Sequence, residues 1–92
     1  MTEHTRLTVW VHGRVQGVGF RWWTRSRALE LGLTGYASNQ PGGRVLVVAQ
    51  GPRPACERLL EALRGAGTPG TVDNVIADFS APGEPMSGFR ER

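Results

Sequence analysis

Three stretches of the chain alternate between apolar and polar residues with the two-residue period of a β-strand, and a fourth, shorter stretch also favours a strand. The strands predicted in this way lie at 6–13, 33–39, 44–50 and 72–79, with a short further candidate at 86–90. Gln40-Pro41-Gly42-Gly43 separates the second strand from the third, and its glycines suit the positive φ of a tight turn. We therefore expect these two strands to form an antiparallel hairpin.

Two helices are predicted in the segments between these strands. The first runs from Arg21 to Leu31, contains neither glycine nor proline, and is ended by Gly32. Its apolar residues form two partial stripes, so its helical period is blurred. The second helix follows Gly51-Pro52-Arg53-Pro54, where prolines in the first turn cost no hydrogen bond, and it ends at Gly65. Its apolar face consists of Cys56, Leu59, Leu60 and Leu63.

The order of these elements is β-α-β-β-α-β. This order is typical of the ferredoxin-like sandwich, an α+β fold in which one mixed or antiparallel sheet carries two helices on one face. The 92 residues are enough for one domain, so we expect a single domain over 1–92 with a frayed segment at 1–5. The fold itself hosts many functions and does not name the activity.

The charged residues limit the possible chemistry. Eleven basic residues and eight acidic residues give a net charge of +3, and every basic residue is an arginine. The absence of lysine excludes Schiff-base chemistry and a P-loop lysine. A functional cation must therefore be a guanidinium, which favours bidentate recognition of phosphate or carboxylate. A net +3 is weak support for nucleic-acid binding, and we expect none.

The single cysteine, Cys56, excludes an internal disulfide and a cysteine-based zinc site. We expect it to be a core residue of the second helix. No apolar run approaches the roughly 18 residues of a membrane span. The first six residues have no apolar signal-peptide core behind them, so we expect a cytoplasmic protein that does not bind membranes.

The loop between the first strand and the first helix is the strongest candidate for a binding site. Glycines at 13, 17 and 19 allow successive backbone N–H groups to turn toward one centre at a helix N-terminus, which is an anion site. Arg21 lies in the first turn of that helix and could bind the same anion through two hydrogen bonds. The alternative is a glycine-rich turn beside a solvated arginine, and the spacing alone leaves both interpretations open.

Four segments together resemble the acylphosphatase family over about residues 7–90. They are 12–21 (His-Gly-Arg-Val-Gln-Gly-Val-Gly-Phe-Arg), 32–39 (Gly-Leu-Thr-Gly-Tyr-Ala-Ser-Asn), the pair Gly43-Arg44-Val45 and Ala49-Gln50-Gly51, and Ser87-Gly88-Phe89. The first segment is the most specific, because it agrees over ten contiguous positions with the phosphate-binding signature of these enzymes. The resemblance implies hydrolysis of a small acyl phosphate to a carboxylate and inorganic phosphate, without a metal or a cofactor.

The resemblance also implies a role for each matching residue. Arg21 and Asn39 correspond to the catalytic arginine and asparagine, the second of which holds the attacking water, and Gly13 corresponds to a supporting glycine. The backbone of the phosphate-binding loop would be supplied by Val15, Gln16, Gly17, Val18, Gly19 and Phe20. We expect a monomer with no further partner.

Some positions depart from the family pattern. Ala37-Ser38 replaces an apolar residue followed by a basic one, and Glu91 stands where an apolar residue is usual, which puts the pairing of the last strand in doubt. Of the two tryptophans after Arg21, we expect Trp23 in the core and Trp22 partly exposed, with a position near the acyl group of the substrate as the less favoured alternative for Trp22.

Two other functions remain open. One is a non-catalytic anion- or RNA-binding module, although the first and third strands lack the aromatic-rich pattern of an RNA-recognition motif. The other is a catalytically idle acylphosphatase-like domain of a larger protein. The presence of both Arg21 and Asn39 favours the enzyme.

Overall fold

The order of elements predicted from the sequence is confirmed by a computed structural model, which describes residues 3–92. The elements are β1 (His4–Arg14), α1 (Phe20–Glu30), β2 (Thr34–Asn39), a short 3₁₀ turn (Pro41–Gly43), β3 (Val45–Pro52), α2 (Arg53–Arg64), β4 (Thr71–Ser80) and β5 (Phe89–Glu91). Gly19 begins α1 in the left-handed region, at φ 82°, and Pro52 precedes the first residue of α2.

The five strands form one mixed sheet in the order β4-β1-β3-β2-β5. The strand β1 is antiparallel to both β3 and β4, and β2 is antiparallel to β3, which confirms the predicted hairpin. β5 lies at the edge and is parallel to β2. This is the ferredoxin-like fold expected from the sequence. Because β1 and β2 are both antiparallel to β3, they run in the same direction. Their C-terminal residues therefore lie at the same end of the sheet.

The core lies between the helices and one face of the sheet. The alternation in β1 places Leu7, Val9 and Val11 on this face, and each of them is fully buried. β3 contributes its predicted face in the same way. The remaining fully buried residues of the strands and of α2 are Ala37, Val45, Val47, Ala49, Cys56, Leu59 and Leu63. The clear period of α2 thus predicted its buried face correctly.

The sheet begins earlier in the chain than the sequence predicted. β1 starts at His4, and Thr5 is buried, with its hydroxyl donating a hydrogen bond of 2.8 Å to the Ser80 carbonyl. The main-chain oxygen of Glu3 accepts a 3.2 Å bond from the N–H of Arg53. The expectation of a frayed segment is therefore wrong for residues 4 and 5, because they pair with Pro52 and Gly51 of β3 and Thr5 also binds β4. Residues 1 and 2, which belong to the same expectation, lie outside the described residues.

The last strand is shorter than predicted but is paired along its length. It covers Phe89–Glu91 rather than 86–90, and its residues pair in register with Gly35, Tyr36 and Ala37 of β2. Phe89 is buried, and its carbonyl accepts a 2.9 Å hydrogen bond from Nε of Arg25. Glu91 therefore does not prevent pairing. α1 and β2 together hold this edge strand in place.

Between residues 3 and 92, neither helix is both long and apolar enough to cross a membrane. Cys56 belongs to the core, as expected from the apolar face of α2. Its sulfur lies 3.9 Å from the carbonyl oxygens of Thr5 and Gly51. Burial raises the pKa of the Cys56 thiol, against the lowering effect of Arg53, so the thiol stays protonated at neutral pH.

Candidate active site

Two loops meet at the end of the sheet where β1 and β2 terminate. One is the glycine loop, residues 15–20, which connects β1 to α1. The other is the Asn39 turn, residues 39–44, which connects β2 to β3. The topology brings them together although about twenty residues separate them in the chain. All of the site residues predicted from the sequence except Gly13 lie in these two loops or in the first turn of α1.

The glycine loop is anchored at both ends and exposed between them. Val15 and Phe20 are each only 1% exposed, whereas the four residues between them are exposed. Gly17 and Gly19 have φ values of 74° and 82°, which residues other than glycine rarely adopt. Gly19 offers no side chain to cap α1, so the first N–H groups of the helix remain open to an anion.

Gly13 does not lie in the glycine loop itself but at an irregularity between β1 and β4. The register of these strands shifts between His12 and Gly13, and φ of Gly13 is 139°. A Cβ atom there would collide with the carbonyl oxygen of Thr71 and lie 2.9 Å from the backbone nitrogen of Asp73. The need for glycine at this position therefore comes from the close approach of β4. Its effect on the glycine loop is indirect.

Arg21 and Asn39 meet at one oxygen atom. The main-chain oxygen of Arg92 accepts a 2.7 Å hydrogen bond from Nη1 of Arg21 and a 3.1 Å hydrogen bond from the backbone N–H of Asn39. Arg92 is itself held by its N–H, which donates to the carbonyl of Ala37 at 2.7 Å. The guanidinium of Arg21 thus lies near the backbone of Asn39, whose side chain is exposed.

The side chain of Gln16 connects the two loops directly. Its Nε2 donates to the carbonyl oxygens of Gln40, at 2.8 Å, and of Arg44, at 2.9 Å. The Arg44 carbonyl also accepts a 2.8 Å bond from the N–H of Gln40, which closes the turn. Sequence reasoning assigned only the backbone of Gln16 to the site. The one available signal was a long amide side chain in a segment otherwise made of glycine and valine.

Arg44 holds the Asn39 turn from the open face of the sheet. Its guanidinium lies 4.7 Å from the ring centre of Trp10, and its Nε donates to the Pro41 carbonyl at 3.1 Å. At the next strand the guanidinium of Arg92 stacks on Tyr36 at 3.8 Å. Both guanidinium groups lie close to the site, so the electrostatic environment there favours an anion.

The two tryptophans after Arg21 differ as the sequence predicted. Trp23 packs against the core, with its ring centre 6.1 Å from that of Phe20 and with the guanidinium of Arg27 5.7 Å from its own ring centre. Trp22 is 60% exposed in the first turn of α1. The contact of Trp22 with an acyl group stays a prediction. Among residues 3–92, no three His, Cys, Asp or Glu side chains are grouped so that they could hold a metal ion.

Comparison with known proteins decides between the functions that the sequence left open. A family model for acylphosphatase matches residues 7–91. The chain belongs to the acylphosphatase family. An acylphosphatase of Mycobacterium avium (strain 104) is 75% identical over 91 residues, which cover 95% of this chain and 94% of that protein. The assignment is therefore to an enzyme, and the non-catalytic anion- or RNA-binding alternative is not favoured.

Solved structures of acylphosphatases agree with the fold. The enzyme from Coxiella burnetii is 40% identical and superimposes with a TM-score of 0.85, covering 98% of this chain and 94% of its own. The enzyme from Bacillus subtilis is 31% identical with a TM-score of 0.86, covering 96% of this chain and 98% of its own. The mixed five-stranded sheet with two helices is thus the architecture of this acylphosphatase.

Proposed function

We propose that the enzyme hydrolyses small acyl phosphates with the glycine loop and Arg21 binding the phosphoryl group and Asn39 holding the attacking water. The observation that carries these roles is the shared oxygen of Arg92, which brings the Arg21 guanidinium and the Asn39 backbone to one point beside the loop. Acyl phosphate as the substrate class follows from the family.

The binding of the phosphoryl group rests on N–H donors. The left-handed glycines at 17 and 19 let the loop curve, and α1 starts at its end with free N–H groups. Arg21 has five N–H donors, of which one is used by the Arg92 oxygen. The remaining donors can bind the phosphoryl oxygens as a fork and neutralise their charge in the transition state.

Water attack requires little more than positioning. The exposed side chain of Asn39 has a carbonyl oxygen that can accept a hydrogen bond from water and an NH₂ group that can donate to a phosphoryl oxygen. A carboxylate is a good leaving group, so a strong general acid is not needed. The water can lose its proton to the phosphate, which makes a separate general base unnecessary. Positioning and charge stabilisation are the main contributions of a protein to phosphoryl transfer.

Charge stabilisation by a guanidinium and backbone N–H groups needs no metal ion, so we propose a metal-independent reaction. We also propose that the enzyme acts as a monomer in the cytoplasm, without a nucleic-acid partner. Nothing in these roles requires a second chain, since Arg21, Asn39 and the glycine loop all belong to one chain.

Hydrolysis of benzoyl phosphate by the purified enzyme, with and without a chelator, tests the reaction. We expect equal rates in both conditions. Activity that disappears with the chelator and returns with a divalent cation would contradict the proposal. In parallel, an alkyl phosphate monoester such as glycerol 3-phosphate should react poorly, because no group is assigned to protonate its alkoxide leaving group. Comparable turnover of the monoester would also contradict it.

A further inference from the structure

Gln16 has two functional parts that point in different directions. Its backbone N–H belongs to the glycine loop, whereas its side chain leaves the loop and reaches the Asn39 turn. There Nε2 donates both of its hydrogens, to the carbonyl oxygens of Gln40 and Arg44 at 2.8 and 2.9 Å. The side-chain amide of Gln16 therefore joins the loop proposed to bind the phosphoryl group to the turn proposed to hold the water.

The two accepting carbonyls lie at both ends of the turn that follows Asn39. Gln40 is the next residue in the chain, and Arg44 closes the turn by accepting the Gln40 N–H. Asn39 begins this turn and is held on its other side by pairing with Val45 and by the bond of its N–H to the Arg92 oxygen, so the Gln16 contacts add the connection to the glycine loop. On its other side the turn is held by Arg44, which stacks on Trp10. Only the Gln16 contacts join it to the glycine loop by side-chain hydrogen bonds among residues 3–92.

We infer that the Gln16 side chain is a positioning residue, which sets the distance between the water on Asn39 and the phosphoryl group in the glycine loop. This inference rests on the proposed function, because it needs Asn39 to hold the water. A misplacement of reacting groups by about 1 Å can cost on the order of 100-fold in rate. The side chain therefore contributes to the attack of water, while the backbone N–H contributes to phosphate binding.

The substitution Gln16→Met separates these two parts. Methionine has similar length and retains the backbone N–H, but it cannot donate to the two carbonyls. We expect kcat for benzoyl phosphate to fall about 10- to 100-fold, while the inhibition constant for inorganic phosphate changes little. Unchanged kcat would overturn the inference. An increase in the phosphate inhibition constant as large as the loss in kcat would also overturn it, since the side chain would then act on the glycine loop.

A control with the same substitution is available far from the site. Gln50 is buried and also makes side-chain hydrogen bonds, but its partners are Arg6, Gly83 and Glu84. Gln50→Met should lower the melting temperature and leave kcat per folded molecule unchanged. An equal loss of kcat in both variants would show a general effect of destabilisation and would overturn the inference. Thermal unfolding of each variant supplies the folded fraction.

A double-mutant cycle with Asn39→Ala tests whether Gln16 acts through Asn39. If it does, adding Gln16→Met to Asn39→Ala lowers kcat little further. Losses that multiply would overturn the inference. The same cycle separates it from the proposed function. Asn39→Ala with wild-type kcat contradicts the role of Asn39 and both proposals, whereas loss in Asn39→Ala without loss in Gln16→Met contradicts the Gln16 inference alone.

Discussion

At each end of the sheet, a glutamine side chain joins separate segments of the chain by hydrogen bonds. One of these glutamines is exposed and the other is buried. At the loop end, formed by the glycine loop and the Asn39 turn, Gln16 is exposed. At the opposite end Gln50 is only 6% exposed, and its Oε1 accepts hydrogen bonds from Nε of Arg6, at 3.0 Å, and from the N–H of Gly83, at 2.6 Å. Its Nε2 donates to the Glu84 carbonyl at 3.0 Å. Glutamine thus positions the two loops of the candidate active site at one end of the sheet, and at the other end it stabilises the packing of neighbouring segments.

Gly17 and Gly19 of the glycine loop differ from Gly51 at the opposite end in their surroundings. At the opposite end a Cβ on Gly51 would lie 2.6 Å from Cδ2 of Leu33, so the buried Leu33 side chain would have to shift, and the φ of 159° also favours glycine. At the loop end no neighbouring atom lies within 4 Å of a Cβ built on Gly17 or Gly19. There, φ alone requires glycine. The glycine loop thus has space around a curved backbone, as an anion site needs, whereas Gly51 packs against Leu33.

The largest expected effect is at the loop end and concerns Arg21. Arg21→Ala should lower kcat/KM by about 10²–10³-fold, because a transition-state contact with the phosphoryl group is lost. It should also weaken inhibition by inorganic phosphate. Arg21→Lys should restore little, since an ammonium group cannot reproduce the planar fork. Steady-state kinetics with benzoyl phosphate measures both variants, and near wild-type kcat/KM in Arg21→Ala would assign catalysis to another residue.

The next effect separates the water from the phosphate. Asn39→Ala should lower kcat by about 100-fold, because the water loses its position, while the phosphate inhibition constant should change little, because the glycine loop and Arg21 still bind the phosphate. Asn39→Asp should also be poor, since a carboxylate repels the phosphoryl oxygens. If Asn39 only stabilises its turn, the alanine variant will instead unfold at a lower temperature and keep its turnover per folded molecule.

The third prediction concerns Gln50 at the opposite end, where we expect a loss of stability without a loss of turnover. Gln50→Met should lower the free energy of unfolding by about 1–3 kcal/mol, because the three hydrogen bonds of the buried Gln50 side chain are lost. The kcat per folded molecule should not change. Denaturant unfolding and kinetics on the same preparation test it. A loss of turnover in folded Gln50→Met would mean that the two ends are coupled and that the comparison is wrong.

The smallest effect is a pH dependence that arises at the opposite end. Burial raises the pKa of the Cys56 thiol above its ordinary value of 9.0. Between the unfolded and folded pKa values the folded state binds more protons, so the free energy of unfolding should fall as pH rises above about 9. In Cys56→Ala this part of the alkaline slope should be absent. An identical slope in both proteins, measured by denaturant unfolding, would rule out the thiol as its source.

Local patterns in the sequence determined most of the elements and the identity of the site. Alternation predicted the faces of β1 and β3, and the apolar period of α2 predicted its buried residues, because each pattern reflects one neighbouring surface. The glycines at 17 and 19 predicted positive φ from the same kind of local constraint. The motifs around Arg21 and Asn39 resembled the family to which the chain belongs.

Other features depended on contacts between residues far apart in the chain. The start of β1 is set by the pairing of its first residues with Pro52 and Gly51 of β3, and the extent of β5 by its pairing with β2. Likewise, the role of the Gln16 side chain depends on carbonyls that lie beyond β2, and the Arg92 oxygen joins Arg21 to Asn39 only after β5 has paired. Backbone carbonyls are present at every residue and leave no mark in the sequence. Which carbonyl accepts a hydrogen bond from a given side chain is decided only when the sheet brings the loops together.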